Sequence, residues 1–418
     1  MTSTHRPTGP SSPLRPPRPS RPPSAGTRRP TETRRSDRRP MANFRHNPSS
    51  PFRHVDVILV VCVGIVTLFG ALMVYSSTRG PTEPYDSSYL VRVLVYIAIG
   101  GALMAGVALV DYRKLRDLWP IVYGGSVILL LAVLIPGIGS NQKGAQRFIQ
   151  IGSIFQLQPA ELAKVGLVIG FAGLASQFRG DLDGLRVLML LGLCGLPMVL
   201  VMLQPDLGTA LVSMGVAVAM LLVVGVKPRL LGLLTVGAVL LTTLLLTSGA
   251  LKQYQVDRLT SYAKQDQVAQ SEEEARVKFN LEQSKLAIGS GGITGQGLFT
   301  GTQTRNGFVP EQHTDFIFTA VGEQLGMVGA GGLLAVMGLI VWRVWRAAQL
   351  ARDDFGMLIC TGVMAMFVVQ IFENVGMTMG IMPITGIPLP LVSYGGSALV
   401  ATMLALGLVL SVHMRRFT

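Results

Sequence analysis

Charge is what this chain has least of. Only 14% of its 418 residues are Asp, Glu, Lys or Arg, while 49% are hydrophobic. Soluble domains carry about 25% charge, so a soluble globular fold is excluded for most of the chain. Cysteine is scarce too. Cys62, Cys194 and Cys360 each fall inside an apolar run, as small buried hydrophobes do, and offer neither a disulfide framework nor a metal spacing. No Gly-rich phosphate loop and no nucleophile elbow is present. No short apolar core beside a cleavage site marks a secretory signal. No internal repeat is evident, where an inverted-repeat transporter would show one.

What the chain does have is long apolar runs, each able to cross a bilayer of roughly 30 Å. Backbone groups in lipid must be satisfied internally, so unbroken runs of this length are helices, and a barrel would show short alternating segments instead. The expected architecture is an all-α polytopic membrane protein of ten spans: 55–76, 89–110, 118–136, 158–177, 187–203, 207–226, 230–248, 316–342, 355–377 and 394–412. Lys and Arg in the short loops set the orientation. DYRKLRD, FRGDLDGLR, VKPR, WRVWRAAQLARDD and the terminal MRRF fall on one side. That side is the cytoplasm, and it holds both termini.

The net charge of +13 is concentrated at the start. Residues 1–54 hold twelve Arg against Glu32 and Asp37, and are rich in Pro, Ser and Thr. Such a segment cannot bury a core and is expected to be a disordered basic tail beside anionic lipid rather than a nucleic-acid binder. Met41 offers a second start. Residues 55–418 form the membrane domain. Its largest polar segment, 249–315, lies between spans seven and eight on the outer side, and a loop of that length is usually functional. Ser271 with Glu274 reads as a capping box, Gly289 as the end of a helix, and GSGGITGQG as a flexible return.

Asp315 stands where this loop re-enters the bilayer, directly after His313 and Thr314. A partly desolvated carboxylate suits general-base work. The plainer reading is that Thr314 or Asp315 caps a helix. Glu161 and Lys164 in QPAELAK share a helix face and can pair, either structurally or at a substrate. Asp206 in MLQPDLGTALV caps span six or lines a cavity. Lys143 and Arg147, in SNQKGAQRFIQIG, are solvated loop charges or phosphate ligands. MPITGIPLPLVSYGGSA cannot be a regular helix, and Ser393, Tyr394 and Gly395–Gly396 make a polar lip. Gln370, Glu373 and Asn374 lie on span nine, so Glu373 should face protein or water.

GAQRFIQIG, QPAELAK, QPDLGTALV, QSKLAIGSGG, GTQTRNGFVPEQHTDFIF, GEQLG and PITGIPLPLVSYGGS occur in this order. From about residue 55 to 418 the chain resembles the SEDS family (shape, elongation, division and sporulation). GFVPEQHTDFIFTAVGEQLG and GMTMGIMPITGIPLP look more like the elongation branch, RodA, than the division branch, FtsW. The resemblance implies a peptidoglycan glycosyltransferase of the bacterial inner membrane. Such proteins polymerise lipid II into glycan strands on the outer face, beside a class B penicillin-binding protein that crosslinks them. The family's catalytic aspartate falls on Asp315, its QPxELxK pair on Glu161 and Lys164, and its QPD aspartate on Asp206. Two positions depart from the pattern. Phe148 stands where the family usually has Trp, and Glu373 where an apolar residue is common.

In that frame Asp315 removes the acceptor hydroxyl's proton, with His313, Thr314 and Ser393 near it. Lys143 and Arg147 face the anionic leaving group. A divalent cation, Mg or Mn, could assist. A flippase would depend instead on Glu161, Lys164 and Glu373, and a scaffold on neither set.

Overall fold

The computed structural model describes residues 54–80, 82–83, 85–137, 139–142, 145–151, 155–178, 182–227, 229–230, 232, 236–237 and 272–417. The basic tail up to residue 53, Met41, Lys143, most of the seventh span and Ser271 lie outside them. Among the described residues nine helices are long and apolar enough to cross a membrane. In chain order the elements are α1 (Val57–Thr78), α2 (Ser88–Leu109), α3 (Tyr112–Leu134), β1 (Gly139–Gln142), β2 (Ala145–Ile151), β3 (Phe155–Leu157), α4 (Pro159–Gln177), α5 (Gly184–Leu203), α6 (Leu207–Val224), α7 (Glu272–Gly291), α8 (Thr302–Arg305), α9 (Ile317–Gln349), α10 (Asp354–Met379) and α11 (Gly396–Met414).

The helices start where acidic caps precede apolar runs. Asp56, Asp111, Asp183, Asp206 and Asp353 each accept a backbone N–H of the first turn that follows. Such a bond satisfies one of the donors that a helix start leaves open. Burial separates the helices into two groups. The most apolar stretches of α4 and α11 are 89% buried, those of α2 and α3 only 17%. So α4 and α11 form the centre, and α2 and α3 show most of their surface to lipid. Gly166, Gly170 and Gly173 make the inner packing possible. A Cβ on any of them would collide with Ser126, Tyr123 or Trp119 of α3. Without a hydrophobic drive between helices in lipid, such small-residue stripes are what lets two helices approach.

The stretch before α4 folds as a three-stranded antiparallel sheet, β1-β2-β3, where only a loop was expected. Its polar, alternating sequence, with Gln146, Arg147 and Gln150 interleaved with apolar residues, fits a ladder lying outside the apolar layer.

The return to α9 is not flexible. At Gly326 (φ 63°, ψ −163°) the helix backbone is broken, a conformation almost confined to glycine. The break opens the carbonyls of Glu323 and Gln324 and the N–H groups of Met327 and Val328. The GSGGITGQG loop meets all four. Gln296 and Gly297 donate to Glu323 and Gln324 at 3.0 Å each, while Met327 and Val328 donate to Gly292 and Ile293 at 2.9 and 3.0 Å. A Cβ at Gly291, Gly295 or Gly326 would collide with backbone of the other strand of this contact. Glycine here permits close approach, and α7 runs two residues past Gly289 to reach it.

Candidate functional site

The HTD segment is held by its backbone. Tyr394 N–H donates to the His313 carbonyl at 2.9 Å. Ser393 Oγ donates to the Thr314 carbonyl at 2.6 Å, and Asn374 Nδ2 to the Asp315 carbonyl at 2.8 Å. Asn374 also donates to the Ile387 carbonyl, and Ser393 Oγ accepts from Leu389 N. One buried amide on α10, and one hydroxyl and one backbone N–H in the PLVSYGG loop, thus fix three consecutive carbonyls. The side chains of residues 313–315 are left half-buried at the lip.

Asp315 does not stand at the cap position. Helix α9 begins at Ile317 and its cap position is Phe316, whose side chain makes no capping bond. Thr314 Oγ1 instead donates to Glu311, whose carbonyl also accepts from Thr314 N and Phe316 N. Glu311 sits at φ 53° and Leu391 at φ 65°. Non-glycine residues rarely adopt this region, and such strain gathers where surrounding structure dictates the backbone.

Around His313 lies an aromatic cluster. Its ring packs on Tyr89 and Tyr394 at 5.1 and 5.7 Å, and those two tyrosines pack on each other. Arg92 lies 5.9 Å from the Tyr89 ring centre.

A second group of residues is built on the α4 and α6 starts. Asp206 caps α6 through Thr209 N and accepts from Gln158 Nε2 at 3.0 Å. Arg147 donates from Nε to the Gln204 carbonyl at 3.0 Å, and from its Nη2 to that of Pro205. Gln158 N–H donates to Ser397 Oγ at 2.9 Å, and Ser397 in turn to the Gln156 carbonyl. Gly208 packs so closely on Ile387 and the Thr385 carbonyl that a Cβ would not fit. The two groups therefore share one loop, 385–397. One turn into α4, Lys164 and Glu161 pair at 2.8 Å with only 2% and 3% of their side chains exposed.

The structure thus joins Arg147 and Asp206 through the QPD turn, and His313, Thr314, Asp315 and Ser393 through the HTD backbone. Glu161 and Lys164 form a separate buried pair. Glu373, fully buried, accepts from Thr385 Oγ1 at 3.0 Å. Among the described residues no three His, Cys, Asp or Glu side chains converge on a metal-sized point.

Several supporting residues escaped the sequence reading. Gln158 stands inside QPAELAK, yet nothing in its type marks it as the partner of Asp206. Glu323 and Gln324 form the centre of GEQLG. Glu323 accepts from Gln303 N, Thr304 N and Thr304 Oγ1, and Gln324 from Ser76 Oγ and Phe299 N. Two adjacent polar residues in an apolar helix were the available signal.

The family described as Cell cycle protein, FTSW_RODA_SPOVE, matches residues 56–417. The probable peptidoglycan glycosyltransferase FtsW of Geobacter metallireducens is 36% identical, over 89% of this chain and 98% of the relative. The peptidoglycan glycosyltransferase MrdB of Escherichia coli K12 is 34% identical, over 87% and 94%. A chain from the structure titled "Structural coordination of polymerization and crosslinking by a peptidoglycan synthase complex" superposes with a TM-score of 0.72 at 29% identity, covering 87% of this chain and 99% of that one. The rod shape determining protein RodA of Thermus thermophilus gives 0.64 at 28% identity, over 87% and 98%.

Proposed function

This chain belongs to the FtsW/RodA/SpoVE family, and from that premise we propose how its outer face performs the reaction. It is a bacterial membrane protein and a peptidoglycan glycosyltransferase. The substrate is lipid II, whose sugars stand above the bilayer while its lipid lies between helices. The face carrying residues 313–315 is the outer one, so the membrane is the inner membrane and both termini are cytoplasmic.

Asp315 acts as general base. An acceptor hydroxyl is a weak nucleophile and must lose its proton as the new bond forms. The leaving group is a lipid diphosphate, already a stabilised anion, which needs cations more than an acid. One base with such a leaving group suits direct displacement with inversion, since no second carboxylate is required as nucleophile. The observation that carries this reading is the fixed entry to α9. Asn374, Ser393 and Tyr394 hold the backbone of the HTD segment, which orients His313, Thr314 and the Asp315 carboxylate at the lip.

Lys143 and Arg147 are the outer-loop cations for the diphosphate, and Arg147 also braces the turn that presents Asp206. Glu161 and Lys164 stiffen α4 beneath this layer; their exposure of 3% or less favours a structural pair over a substrate contact. No step is routed through a divalent cation. The partner is a class B penicillin-binding protein, a reading supported by the similarity to a peptidoglycan synthase complex. The biological role is elongation, from the motifs around residues 307–326 and 376–390. A division role is the second reading, carried by the similarity to the Geobacter FtsW.

The test uses the protein with its penicillin-binding partner and lipid II. Asp315→Asn keeps the shape and removes the base. Strand formation should fall by about 10²–10⁴ while the complex persists. Strands at the parent rate would refute the assignment and bring the flippase and scaffold readings forward.

A further inference from the structure

Beside the HTD segment lies a cleft of about 230 Å³ that the reading above does not use. Its lining includes Ser77, Thr78, Arg79, Phe299, Arg305 and Gln312. Gln312 is three residues before Asp315, so their Cα atoms are at most about 11 Å apart.

Of its two cations, Arg79 is half-buried and held in place, while Arg305 is exposed. The Arg79 guanidinium lies 4.3 Å from the Phe299 ring centre and 4.5 Å from that of Tyr85. Its Nη2 donates to the Phe299 carbonyl at 3.3 Å. Phe299 holds a left-handed backbone, φ 69°, and its N–H is tied to Gln324 at 3.1 Å. A strained aromatic residue is thus kept in the position where its ring flanks the guanidinium. The planar fork of Arg suits two oxygens of a phosphate, and fixing it beforehand lowers the ordering cost of binding. Arg305 enters from the end of α8. Two acids near the cleft are engaged elsewhere: Asp86 accepts from Ser88 N at 2.8 Å, and the Glu323 carboxylate accepts from Gln303 N and Thr304 N.

The cleft also offers an acceptor. Gln312 is 9% exposed, and its Nε2 donates to the carbonyls of Ser77 and Thr304 at 2.8 and 2.9 Å. Its Oε1 has no hydrogen-bond partner. Buried amide oxygens normally have one, so this atom calls for a hydroxyl or N–H from a bound molecule.

We propose that the cleft binds the diphosphate of one lipid-linked sugar, with Arg79 and Arg305 on the phosphates and Gln312 on a sugar hydroxyl or acetamido N–H. This rests on the polymerase reading and extends it. Two saccharide carriers must meet at Asp315, and the cations near the QPD turn and those of this cleft then serve different carriers.

The experiment measures pyrophosphate binding to the detergent-solubilised full chain by calorimetry. The parent should bind, and Arg305→Gln should weaken binding about tenfold at an unchanged thermal midpoint. Arg79→Gln should do the same or more, with Arg79→Lys in between. Undecaprenyl diphosphate dispersed in detergent should displace pyrophosphate. Equal affinity of parent and Arg305→Gln, or no binding by the parent at millimolar pyrophosphate, overturns the site. Failure of undecaprenyl diphosphate to compete leaves a free-anion site and overturns the substrate assignment. Asp315→Asn separates the two proposals, because it should bind pyrophosphate like the parent while making no strands. Strands made by Asp315→Asn would sink the general-base reading and leave the cleft standing.

Discussion

The two ends of the helix bundle are closed by different chemistry. At the end carrying the helix starts α1, α3 and α10, opposite charges meet directly. Asp56 takes Arg343 of α9 through three short contacts, the closest 2.7 Å. Asp111 faces Arg415 at 3.7 Å, and Asp353 faces Arg113 at 3.7 Å. Arg415 there also donates to the carbonyls of Ala108 and Leu109; at the other end such bonds to backbone carbonyls, rather than ion pairs, hold the loops around Asp315 and the QPD turn. Asn374, Ser393 and Arg147 donate to carbonyls of irregular loops, and Gln312 to carbonyls at the ends of α1 and α8. The four described non-glycine residues with positive φ, Pro205, Phe299, Glu311 and Leu391, all lie in those loops. An end that pairs its charges is finished as structure. An end that commits amides and hydroxyls to its own backbone can hold charged groups, such as Asp315 and Arg79, beside a cleft.

This contrast can be broken by substitution. The largest effect should come from Gly326→Ala. The new Cβ meets the backbone of Gly295, and φ 63° with ψ −163° is costly for alanine. A loss of about 3 kcal/mol or more is expected, read as failure to accumulate folded protein in the membrane. Normal accumulation would mean that the clamp between GEQLG and GSGGITGQG is dispensable.

Asp56→Ala comes next, at the ion-paired end. It removes a helix cap and leaves Arg343, 16% exposed, without its carboxylate. Stability should fall by about 3 kcal/mol, while strands made per folded molecule stay at the parent value. A fall in specific activity would show that the two ends are coupled.

Asn374→Ala should reverse that pattern. It strips one buried and one part-buried carbonyl of their donor, costing about 2 kcal/mol, and it also releases the Asp315 backbone. Strand formation per folded molecule should fall more than stability does. Equal activity at lowered stability would make Asn374 purely structural.

The smallest effect concerns pH. Ser88 N–H holds the exposed Asp86 carboxyl below the ordinary carboxylate range. A depressed value stabilises above the unfolded value, near 3.9, and the stabilisation is lost as pH falls through the folded value. The 79–88 loop should therefore be insensitive to pH from 5 to 8 and loosen only in acid. Hydrogen exchange at Ser88 would check this, and a transition near neutrality would contradict it.

Much of this was legible in the residues. The apolar runs place nine helices with ends within about seven residues of the expected spans, because burial of a helix in lipid depends on length and hydropathy alone. The acidic caps at 111, 183, 206 and 353 stand next to those runs. What the residues left open was which bonds a side chain makes. Thr314 or Asp315 reads as a helix cap, yet the chain makes one more turn and starts α9 at Ile317. GSGGITGQG reads as a flexible return, but its glycines serve contact with a helix break thirty residues further on. Arg147 reads as a phosphate ligand, and the fold also gives it the carbonyls of residues 204 and 205.

By itself, then, the sequence determined the membrane bundle, the family and the short set of ionisable residues around the entry to α9. These follow from local quantities such as hydropathy, spacing and motif order. Tertiary structure decided what those residues do. The partners of Asp206, Asp315, Arg79 and Gln312 come from segments between 8 and 235 residues away. Hydrogen bonds act over about 3 Å, and no local pattern specifies which distant carbonyl will stand at that distance.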